Sequence, residues 1–515
     1  MLKLLLTILL GIPVSGMVTN SSTGKGIEGV VVSDGYHCTV TDASGSYSLE
    51  ADSLARTVSI TVPAAYEIPL GSDGSPAFFK YIDSGERNFV LTPRRKVADR
   101  FTLVAVADTH IKFDWNADRF HSECLPDLQR TFERHAKEGD VLGIALGDQI
   151  SDTPETAGIV KEGYSGFKLG RKTVPFFYCI GNHDHLSRDG EGQYAVTEHF
   201  VRNFSPVDYS FDIGQVHFVV MDDIQYKGVQ RDGVKVAYYT GITEAQLQWL
   251  REDLALVRDK GRKAIVLCIH APLSGRFSHK DEVKALLEQF ADAHVLSGHE
   301  HNINNMWPSP KIWEHNIQAL CGAWWHSNLS PSGCPLGYCV LTFDGPALAS
   351  EYNKATTESA DFQMRVYSGS DHYNAWTAYA GIVGAPKRFN TYTWPEHLKG
   401  HFVVRVWDGT KDWEVKLVSN GKEYPMTQTD VKLFDAASAA YMVDVFGAPY
   451  GGSGIYKAKV DAFWTIEAPS GDPALEKDWE IVAIHRMPSG EKAIYRSNIL
   501  MRDYLGFATG THYLR

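Results

Sequence analysis

From Phe101 onward, apolar segments of strand length alternate with segments whose apolar residues recur at helical spacing. The strand candidates are Phe101–Ala107, Val141–Leu146, Phe176–Ile180, Val216–Met221, Ala264–Ile269 and His294–Leu296. Thr243 and Gln246 form a capping-box pair ahead of leucines at helical spacing, which predicts a helix over residues 243–259. This alternation predicts an α/β layered domain, and the continuous apolar strands predict a sheet that is covered on both faces.

Segments rich in strand-forming residues flank this region on both sides. Before it, β-branched segments such as Val30–Ser33 and Val58–Val62 are separated by Gly, Asp and Ser turns, which predicts an N-terminal β-sandwich module over residues 17–92. After it, the strand candidates are Phe402–Trp407, Trp413–Val418, Tyr441–Phe446 and Trp479–Ile484. They predict a C-terminal β-rich module over residues 351–515, which leaves residues 93–350 for the α/β domain. Several domains are expected because 515 residues are too many for one core.

The first residues, MLKLLLTILLGIPVSG, combine one lysine, a short apolar segment and then small residues. This pattern predicts a signal peptide over residues 1–16, with cleavage near Ser15 or Gly16. The alternatives for the same segment are a buried strand or a residual membrane anchor. The apolar segment is too short to span a bilayer and none like it follows, so no transmembrane helix is expected after cleavage. The interpretation is an exported protein, located in the periplasm, at the cell surface or outside the cell.

The net charge of -12 limits the partners that the chain can bind. An acidic protein is poorly suited to hold a nucleic-acid backbone, so neither a nucleic-acid partner nor a nuclease is expected. A phosphate could still bind locally if bound cations supplied the positive charge. The seven cysteines are scattered and show neither a disulfide framework nor a zinc knuckle, although Cys334 and Cys339 are close enough in sequence to pair.

Side chains suited to metal binding and proton transfer follow five of the predicted strands. The segments are Asp108-Thr109-His110, Gly147-Asp148, Gly181-Asn182-His183-Asp184, His270 and Gly298-His299-Glu300-His301. Each segment alone is ordinary turn chemistry. In α/β sheets, however, ligands bind beyond the carboxyl ends of the strands, so five such segments in the same place relative to a strand predict one site.

The composition of this set indicates a metal centre. Residues two apart in an extended segment point the same way, so Asp108 can act with His110, and His299 with His301. Carboxylate, imidazole and amide groups without a thiolate suit Mn, Fe, Zn or Ni. Seven groups are too many for one tetrahedral ion, and they predict two divalent or trivalent ions with open positions, an arrangement that can hold a phosphoryl group for in-line displacement.

In this order, these motifs resemble the calcineurin-like metallophosphoesterases over roughly residues 100 to 345. The resemblance implies an α/β (α+β) two-sheet sandwich core with a dinuclear metal site. It implies that Asp108, His110 and His301 hold one ion, that Asn182, His270 and His299 hold the other, and that Asp148 bridges them. It also implies that His183 is the proton donor or phosphate contact and that Asp184 orients it.

The flanking segments "GVVVSDGYHCTVTDASGSY", "CGAWWHSN" and "GYCVLTFDG" resemble a bacterial multidomain subgroup of this family. Two departures narrow the expectation. The arginine that follows the Gly-Asp motif in Ser/Thr protein phosphatases is missing after Gly147-Asp148, so phosphoprotein activity is not expected. Purple acid phosphatases have Tyr where His110 stands, so an iron–tyrosinate site is not expected.

The resulting functional prediction is an exported phosphoesterase that acts on a small phosphorylated substrate, a monoester or a diester. A hydroxide bridging the two metals would attack phosphorus, and His183 would protonate the leaving oxygen. The alternative is a cell-surface glycan-binding protein with a vestigial phosphoesterase core, and the intact ligand set argues against it. The sequence does not indicate the oligomeric state.

Several further residues have a structural and a functional interpretation. Trp324 and Trp325 could stack a sugar or base, but a buried seam between the catalytic and C-terminal domains is favoured. His185 is expected to be an exposed loop residue and His217 a structural one. Asp222 follows a strand and, with the adjacent aspartate, is expected to cap a turn.

Overall fold

The computed structural model describes residues 11–186, 192–226, 238–322, 327–330, 332–380, 394–430, 433, 435–438, 462–487 and 489–502. The N-terminal module is built from strands only, in chain order β1 Ile12–Asn20, β2 Val31–Ser33, β3 Cys38–Val40, β4 Ser46–Ala51, β5 Thr57–Ile60, β6 Phe79–Tyr81 and β7 Phe89–Leu91. They form two sheets, ordered β4-β1-β7 and β3-β2-β5-β6. The β-sandwich predicted for this module therefore agrees with the structure.

The central domain contains two large sheets packed face to face and two separate two-stranded sheets. Its strands are β8 Arg100–Val106, β9 Asp140–Leu146, β10 Lys168–Leu169, β11 Lys172–Thr173, β12 Phe176–Cys179, β13 Tyr209–Ile213, β14 Val216–Val220, β15 Ile224–Tyr226, β16 Tyr238–Thr240, β17 Ala264–Cys268, β18 Asp292–Ser297, β19 Asn304–Ser309, β20 Ile312–Asn316, β21 Gly337–Asp344 and β22 Ala347–Ala355. One sheet has the order β12-β9-β8-β21-β22 and the other β13-β14-β17-β18-β20-β19. Strands β8, β9 and β12 run parallel in the first sheet, and β14, β17, β18 and β20 run parallel in the second.

Helices cover the outer face of each sheet. They are α1 Asp114–Arg119, α2 Leu125–His135, α3 Ala157–Ser165, α4 Gly192–Asn203, α5 Glu244–Leu256 and α6 Lys280–Leu287. Phe132 and Phe200 pack on the first sheet, and Leu250 and Leu287 pack on the second. The sequence prediction of α5 is confirmed, because Thr243 accepts a hydrogen bond from the backbone N–H of Gln246 in a capping box. The domain is thus a helix–sheet–sheet–helix sandwich.

The C-terminal module is mostly β-structure. It contains β23 Met364–Ser368, α7 Gly369–Ala380, β24 His401–Val406, β25 Trp413–Ser419, β26 Lys422–Pro425, β27 Thr427–Gln428, β28 Phe463–Glu467, β29 Trp479–Arg486, β30 Lys492–Ser497 and β31 Leu500–Met501. Three of the four strands expected here are present as β24, β25 and β29. The fourth, Tyr441–Phe446, lies outside the described residues. Helix α7 was not expected from the sequence.

Two predicted domain boundaries fall inside strands and need correction. Strand β22 runs to Ala355 and pairs with β21, so the central domain extends past residue 350. Strand β1 begins at Ile12, whereas the N-terminal module was expected to begin at residue 17. Its Val14 is 1% exposed in the hydrophobic core, and Ile12–Met17 pair with β4, so the strand is part of the module's sheet. Among the described residues, no helix is both long and apolar enough to cross a membrane.

Candidate metal centre

The loops that carry the predicted ligands leave the carboxyl ends of strands from both sheets. Strands β8, β9 and β12 of the first sheet precede Asp108, Asp148 and Asn182, whereas β17 and β18 of the second precede His270 and His299. The ligand loops therefore come from both sheets and not from the edge of a single sheet. The edges of two packed sheets converge, which surrounds the site with ligands from opposite sides.

Backbone strain is concentrated in these loops. Six of their residues adopt the left-handed backbone conformation, which residues other than glycine rarely adopt. They have φ between 51° and 69° and are Asp108, His110, Asp148, Asp152, His299 and His301. Such strain persists only where the surroundings impose it, and it clusters at functional sites. Gly147, at φ 93°, precedes Asp148, and a Cβ there would lie 2.3 Å from His270 Nδ1.

One group of side chains converges from the β8 loop and the loop after β18. His110 Nε2 lies 3.0 Å from His301 Nε2, and His301 Nε2 lies 3.2 Å from Asp108 Oδ1. Two nitrogen ligands about 2.0–2.1 Å from a tetrahedral ion would be roughly 3.4 Å apart, so these separations suit atoms that share one ion. Asp108 and His110 are fully buried.

A second group converges from the loops after β12, β17 and β18. Asn182 Oδ1 lies 3.0 Å from His270 Nε2 and 2.9 Å from His299 Nδ1, and these two imidazole nitrogens are 3.2 Å apart. The three atoms form a compact triangle of one amide oxygen and two imidazole nitrogens. This triangle can hold a second ion.

Asp148 lies between the two groups. Its Oδ2 is 3.5 Å from His110 Nε2 in the first group and 3.3 Å from His270 Nε2 in the second. Its Oδ1 accepts a hydrogen bond of 2.6 Å from the backbone N–H of His183, which fixes the carboxylate. The position is that of a ligand shared by two ions.

The electrostatics of the site fit metal ligation. Burial lowers the pKa of His110 and of His299 to about 4, so both imidazoles are neutral at neutral pH, the form that binds a metal. Although burial alone would raise it, His270 holds the pKa of Asp148 well below its usual range. Burial lowers the pKa of His270, but Asp148 more than offsets this and raises it to about 10. The surroundings of Asp148 and His270 thus favour a positive charge, which an ion bound there would supply in place of the proton on His270.

One buried acceptor gives a separate test of whether these residues fit a metal. Asp108 Oδ1 is inaccessible to solvent and accepts no well-directed hydrogen bond from the described part of the chain, although His301 Nε2 lies 3.2 Å away. Burying such an atom unpaired is costly, and a cation satisfies it. Asp108 with His110 and His301, and Asp108 with Asp148 and His270, each place possible ligand atoms within 4.8 Å of one another. The residues fit the ions.

His183 lies at the rim, and its ring contacts a different carboxylate from the one expected. His183 Nδ1 is 2.7 Å from Asp152 Oδ2, and the two side chains are 21% and 41% exposed. Asp184 is 1% exposed, and its carboxylate accepts the backbone N–H groups of Ile150 and Gly181 instead. The prediction that Asp184 orients His183 is therefore corrected, because its carboxylate already holds the two ligand loops together.

His185, which lies behind the ligand loops, also differs from expectation. The sequence predicted an exposed loop residue, but His185 is 1% exposed, with Nε2 3.1 Å from Asp222 Oδ2 and Nδ1 2.7 Å from the carbonyl oxygen of Gly181. Asp223 accepts the backbone N–H groups of His270 and Ala271, which anchors the β17 loop. The two aspartates thus brace the metal loops and do more than cap a turn.

Sequence reasoning missed Asp152 as the partner of His183. The only available signal was its place four residues after Asp148, in one of the five strand-end segments. His217 is structural as predicted, buried between Asp212 and Asp253. Trp324 and Trp325 lie outside the described residues. Cys334 and Cys339, which were close enough in sequence to pair, are both free.

Three family models match successive parts of the chain. The model for calcineurin-like phosphoesterase matches residues 101–302, and those for the N-terminal and C-terminal parts of calcineurin-like phosphoesterase match residues 12–94 and 314–484. The chain belongs to the calcineurin-like phosphoesterase family. The predicted family, the metallophosphoesterase fold with flanking N- and C-terminal domains, and the assignment as a phosphoesterase enzyme are confirmed.

Solved structures resemble the chain only distantly. A dimetal phosphatase from Danio rerio is 14% identical, with a TM-score of 0.36 over 50% of this chain and 96% of that chain. A purple acid phosphatase from yellow lupin (Lupinus luteus) seeds is 13% identical, with a TM-score of 0.32 over 61% of this chain and 59% of that chain. No curated protein matches the sequence of this chain.

Proposed function

We propose that the protein hydrolyses phosphate monoesters or diesters at a centre of two metal ions. The observation that carries this proposal is the position of Asp148 between two groups of ligand atoms, 3.5 Å from His110 and 3.3 Å from His270. A single-ion site would not need a carboxylate shared between two complete groups. When bound, two ions stabilise the charge on the phosphoryl oxygens and supply a water of lowered pKa as the nucleophile.

The proposed ligands form one set for each ion, and one residue serves both ions. Asp108, His110 and His301 would hold one ion, Asn182, His270 and His299 the other, and Asp148 both. Their backbone hydrogen bonds keep them in place before substrate arrives, because His299 N–H donates to Asp108 Oδ2 and His270 N–H donates to Asp223 Oδ1. A site that is organised in advance loses little free energy to rearrangement during the reaction.

We propose that His183 donates a proton to the leaving oxygen. Its ring centroid lies 5.1 Å from that of His110, yet its side chain is partly exposed while His110 is buried. Nδ1 faces Asp152, and we propose that Nε2 carries the proton that passes to the leaving oxygen. Asp152 stabilises the protonated imidazole before transfer. Asp184 is proposed to act on the loops rather than on the proton.

A turnover assay with metal reconstitution tests the proposal. The full chain, loaded with Mn, Fe, Zn or Ni, is expected to hydrolyse 4-nitrophenyl phosphate or bis(4-nitrophenyl) phosphate, and exhaustive chelation is expected to abolish the reaction. Loss of activity in His183→Gln, with its metal content retained, would support the role of this residue. The alternative of a vestigial core with a glycan-binding role is favoured only if every reconstituted form is inactive on both esters.

Export remains a proposal, and β1 restricts how it can occur. Cleavage near Ser15 or Gly16 would remove the first part of β1, including buried Val14. We therefore propose that, if a leader is removed, cleavage occurs before Ile12. N-terminal sequencing of the protein recovered from fractionated cells tests this. A mature protein that begins at Gly16 or Met17 would contradict it.

A further inference from the structure

A pocket of about 380 Å³ opens beside the metal centre. It is bounded by the ligand His299 and by polar residues of several loops, among them Thr240, Arg276, Glu300 and Asn302. None of these four belongs to the proposed ligand groups. Because the pocket adjoins a ligand, whatever is esterified to a phosphate bound at the metals can extend into it.

A larger cleft of about 880 Å³ adjoins this pocket. Asn302 and Asn304 line both cavities, so they mark the junction. The far wall of the cleft belongs to the C-terminal module, which contributes Arg405, Ala462 and residues 407–412 and 428–430. The groove therefore leads from the metal centre to the interface between the central domain and the C-terminal module.

An exposed tryptophan lies in this groove. Trp307 lines the larger cleft and is 45% exposed, which is unusual for so large an apolar side chain. It stacks on Trp313 at 5.8 Å and 18° between the rings, so that contact supports it from one side. The pairing of β19 with β20 shifts register between Met306 and Ser309, and such irregularities redirect side chains.

The tryptophan platform is fixed where the two domains meet. Asn305 Oδ1 accepts a hydrogen bond of 2.8 Å from Trp313 Nε1, while its amide nitrogen donates to Asp408 of the C-terminal module. One side chain thus ties the ring beneath Trp307 to the opposite wall. A groove held in this way keeps its shape when empty, which reduces the cost of binding.

The remaining lining favours a neutral polar ligand. Asn304 is exposed. Its side-chain amide has no hydrogen-bond partner in the ranges that the structure covers, so it can both donate to a ligand and accept from it. Across the two cavities, three basic residues face four acidic ones: Arg276, Arg405 and Lys411 against Glu300, Asp408, Asp412 and Asp430. This balance disfavours a polyanion such as a nucleic acid.

We propose that the groove binds a carbohydrate, and that the substrate is a phosphorylated oligosaccharide whose sugar chain runs from the metal centre past Asn302 and Asn304 to Trp307. The inference rests on the proposed function. A sugar ring presents C–H groups that pack on an aromatic face and hydroxyl groups that bond to amides, which are the two features of this lining. From Asn304 to Trp307 the strand spans roughly 10 Å, long enough for more than one ring.

Substrate length provides the test. The metal-loaded full chain is assayed on 4-nitrophenyl phosphate, on glucose 6-phosphate, and on the 6-phosphates of maltose, cellobiose and chitobiose. We expect kcat/KM for at least one disaccharide phosphate to exceed that for glucose 6-phosphate roughly ten-fold, in line with stacking on an aromatic platform. The proposal is overturned if no disaccharide phosphate is better than glucose 6-phosphate.

Variants assign the gain to the groove. Trp307→Ala is expected to remove the disaccharide advantage while leaving kcat/KM on 4-nitrophenyl phosphate unchanged, and Trp307→Phe to restore part of it. Leu475→Ala is the control, since Leu475 is 65% exposed in the C-terminal module and does not line the groove. An equal loss on both classes of substrate in Trp307→Ala would overturn the proposal.

A binding experiment separates this proposal from the proposed function. Tryptophan fluorescence of the full chain is titrated with unphosphorylated maltose, cellobiose and chitobiose. A saturable change in the wild type that is lost in Trp307→Ala supports the groove even if no ester is hydrolysed. Hydrolysis of 4-nitrophenyl phosphate without any saturable change, and without a disaccharide advantage, would retain the phosphoesterase and refute the carbohydrate site.

Discussion

Replacing Asp152 by Asn is expected to slow hydrolysis of esters with poor leaving groups without changing the metal content. Asp152 Oδ2 lies 2.7 Å from His183 Nδ1, and neither residue belongs to the proposed ligand groups. Asn keeps the shape and still accepts a hydrogen bond. It removes the negative charge that stabilises the protonated imidazole, which is the form that donates.

The size of the effect follows from exposure. The two side chains are 21% and 41% exposed, so water screens the pair and its contribution lies near that of a surface ion pair, about 1 kcal/mol. If this is the loss of transition-state stabilisation, kcat falls about five-fold. Removing the acid itself in His183→Gln should cost more, about 10²–10⁴-fold, because general acid catalysis is lost entirely.

The assay compares an alkyl phosphate with 4-nitrophenyl phosphate, together with the metal content of each variant. The loss in Asp152→Asn should be largest for the alkyl ester, because the nitrophenolate leaves with little protonation. Asp184→Asn is the matched control. Its buried carboxylate accepts the N–H groups of Ile150 and Gly181, so the change should lower the melting temperature and the metal content, without dependence on the leaving group.

Two results would refute this reasoning. One is an equal loss for both esters in Asp152→Asn, which would make His183 a phosphate contact and not a proton donor. The other is a leaving-group dependence in Asp184→Asn with full metal content, which would return the orienting role to Asp184.

Two further predictions concern the supports of the site and of the core. Gly147→Ala is expected to lower metal occupancy, because a Cβ at φ 93° would lie 2.3 Å from His270 Nδ1; normal metal content measured by elemental analysis would contradict it. Although burial lowers the pKa of His217, Asp253 and Asp212 raise it to about 9, so its charge stabilises the fold below the unfolded pKa near 6.5, and this stabilisation is lost as the pH rises through about 9. The free energy of unfolding in urea should fall between pH 6 and 10 by on the order of 3 kcal/mol more for the wild type than for His217→Gln, and equal falls would contradict this.

Six strands of the central domain, β8, β9, β12, β14, β17 and β18, were predictable from sequence because each is a mostly apolar segment. The predicted Val141–Leu146 and Ala264–Ile269 differ from β9 and β17 by one residue at one end. The candidate ligands could be located in the sequence for the same reason, since every one of them follows such a segment. The sheet that each strand joins was not predictable, because an apolar strand carries no signal of its neighbours in the fold.

Long-range contacts account for most of the remaining differences. The sequence predicts an exposed loop residue at His185, because its contact with Asp222 involves a distant segment, the one after β14. In the sequence, Asp152 is one polar turn residue among several. Only the fold shows that the loop after β12 places His183 against it. At the N terminus, a short apolar segment suits both a leader and a strand, and the pairing of β1 with β4 is what the sequence does not reveal.

The metal content of the purified full chain and of Asp148→Ala tests the central claim most directly. A carboxylate placed 3.5 Å from His110 and 3.3 Å from His270 serves both ligand groups, so its loss should affect both ions. The account predicts close to two transition-metal ions per wild-type chain, and fewer ions with no hydrolysis of 4-nitrophenyl phosphate in Asp148→Ala. A wild-type chain that is fully active with one ion, or Asp148→Ala protein with two ions and normal activity, would contradict it.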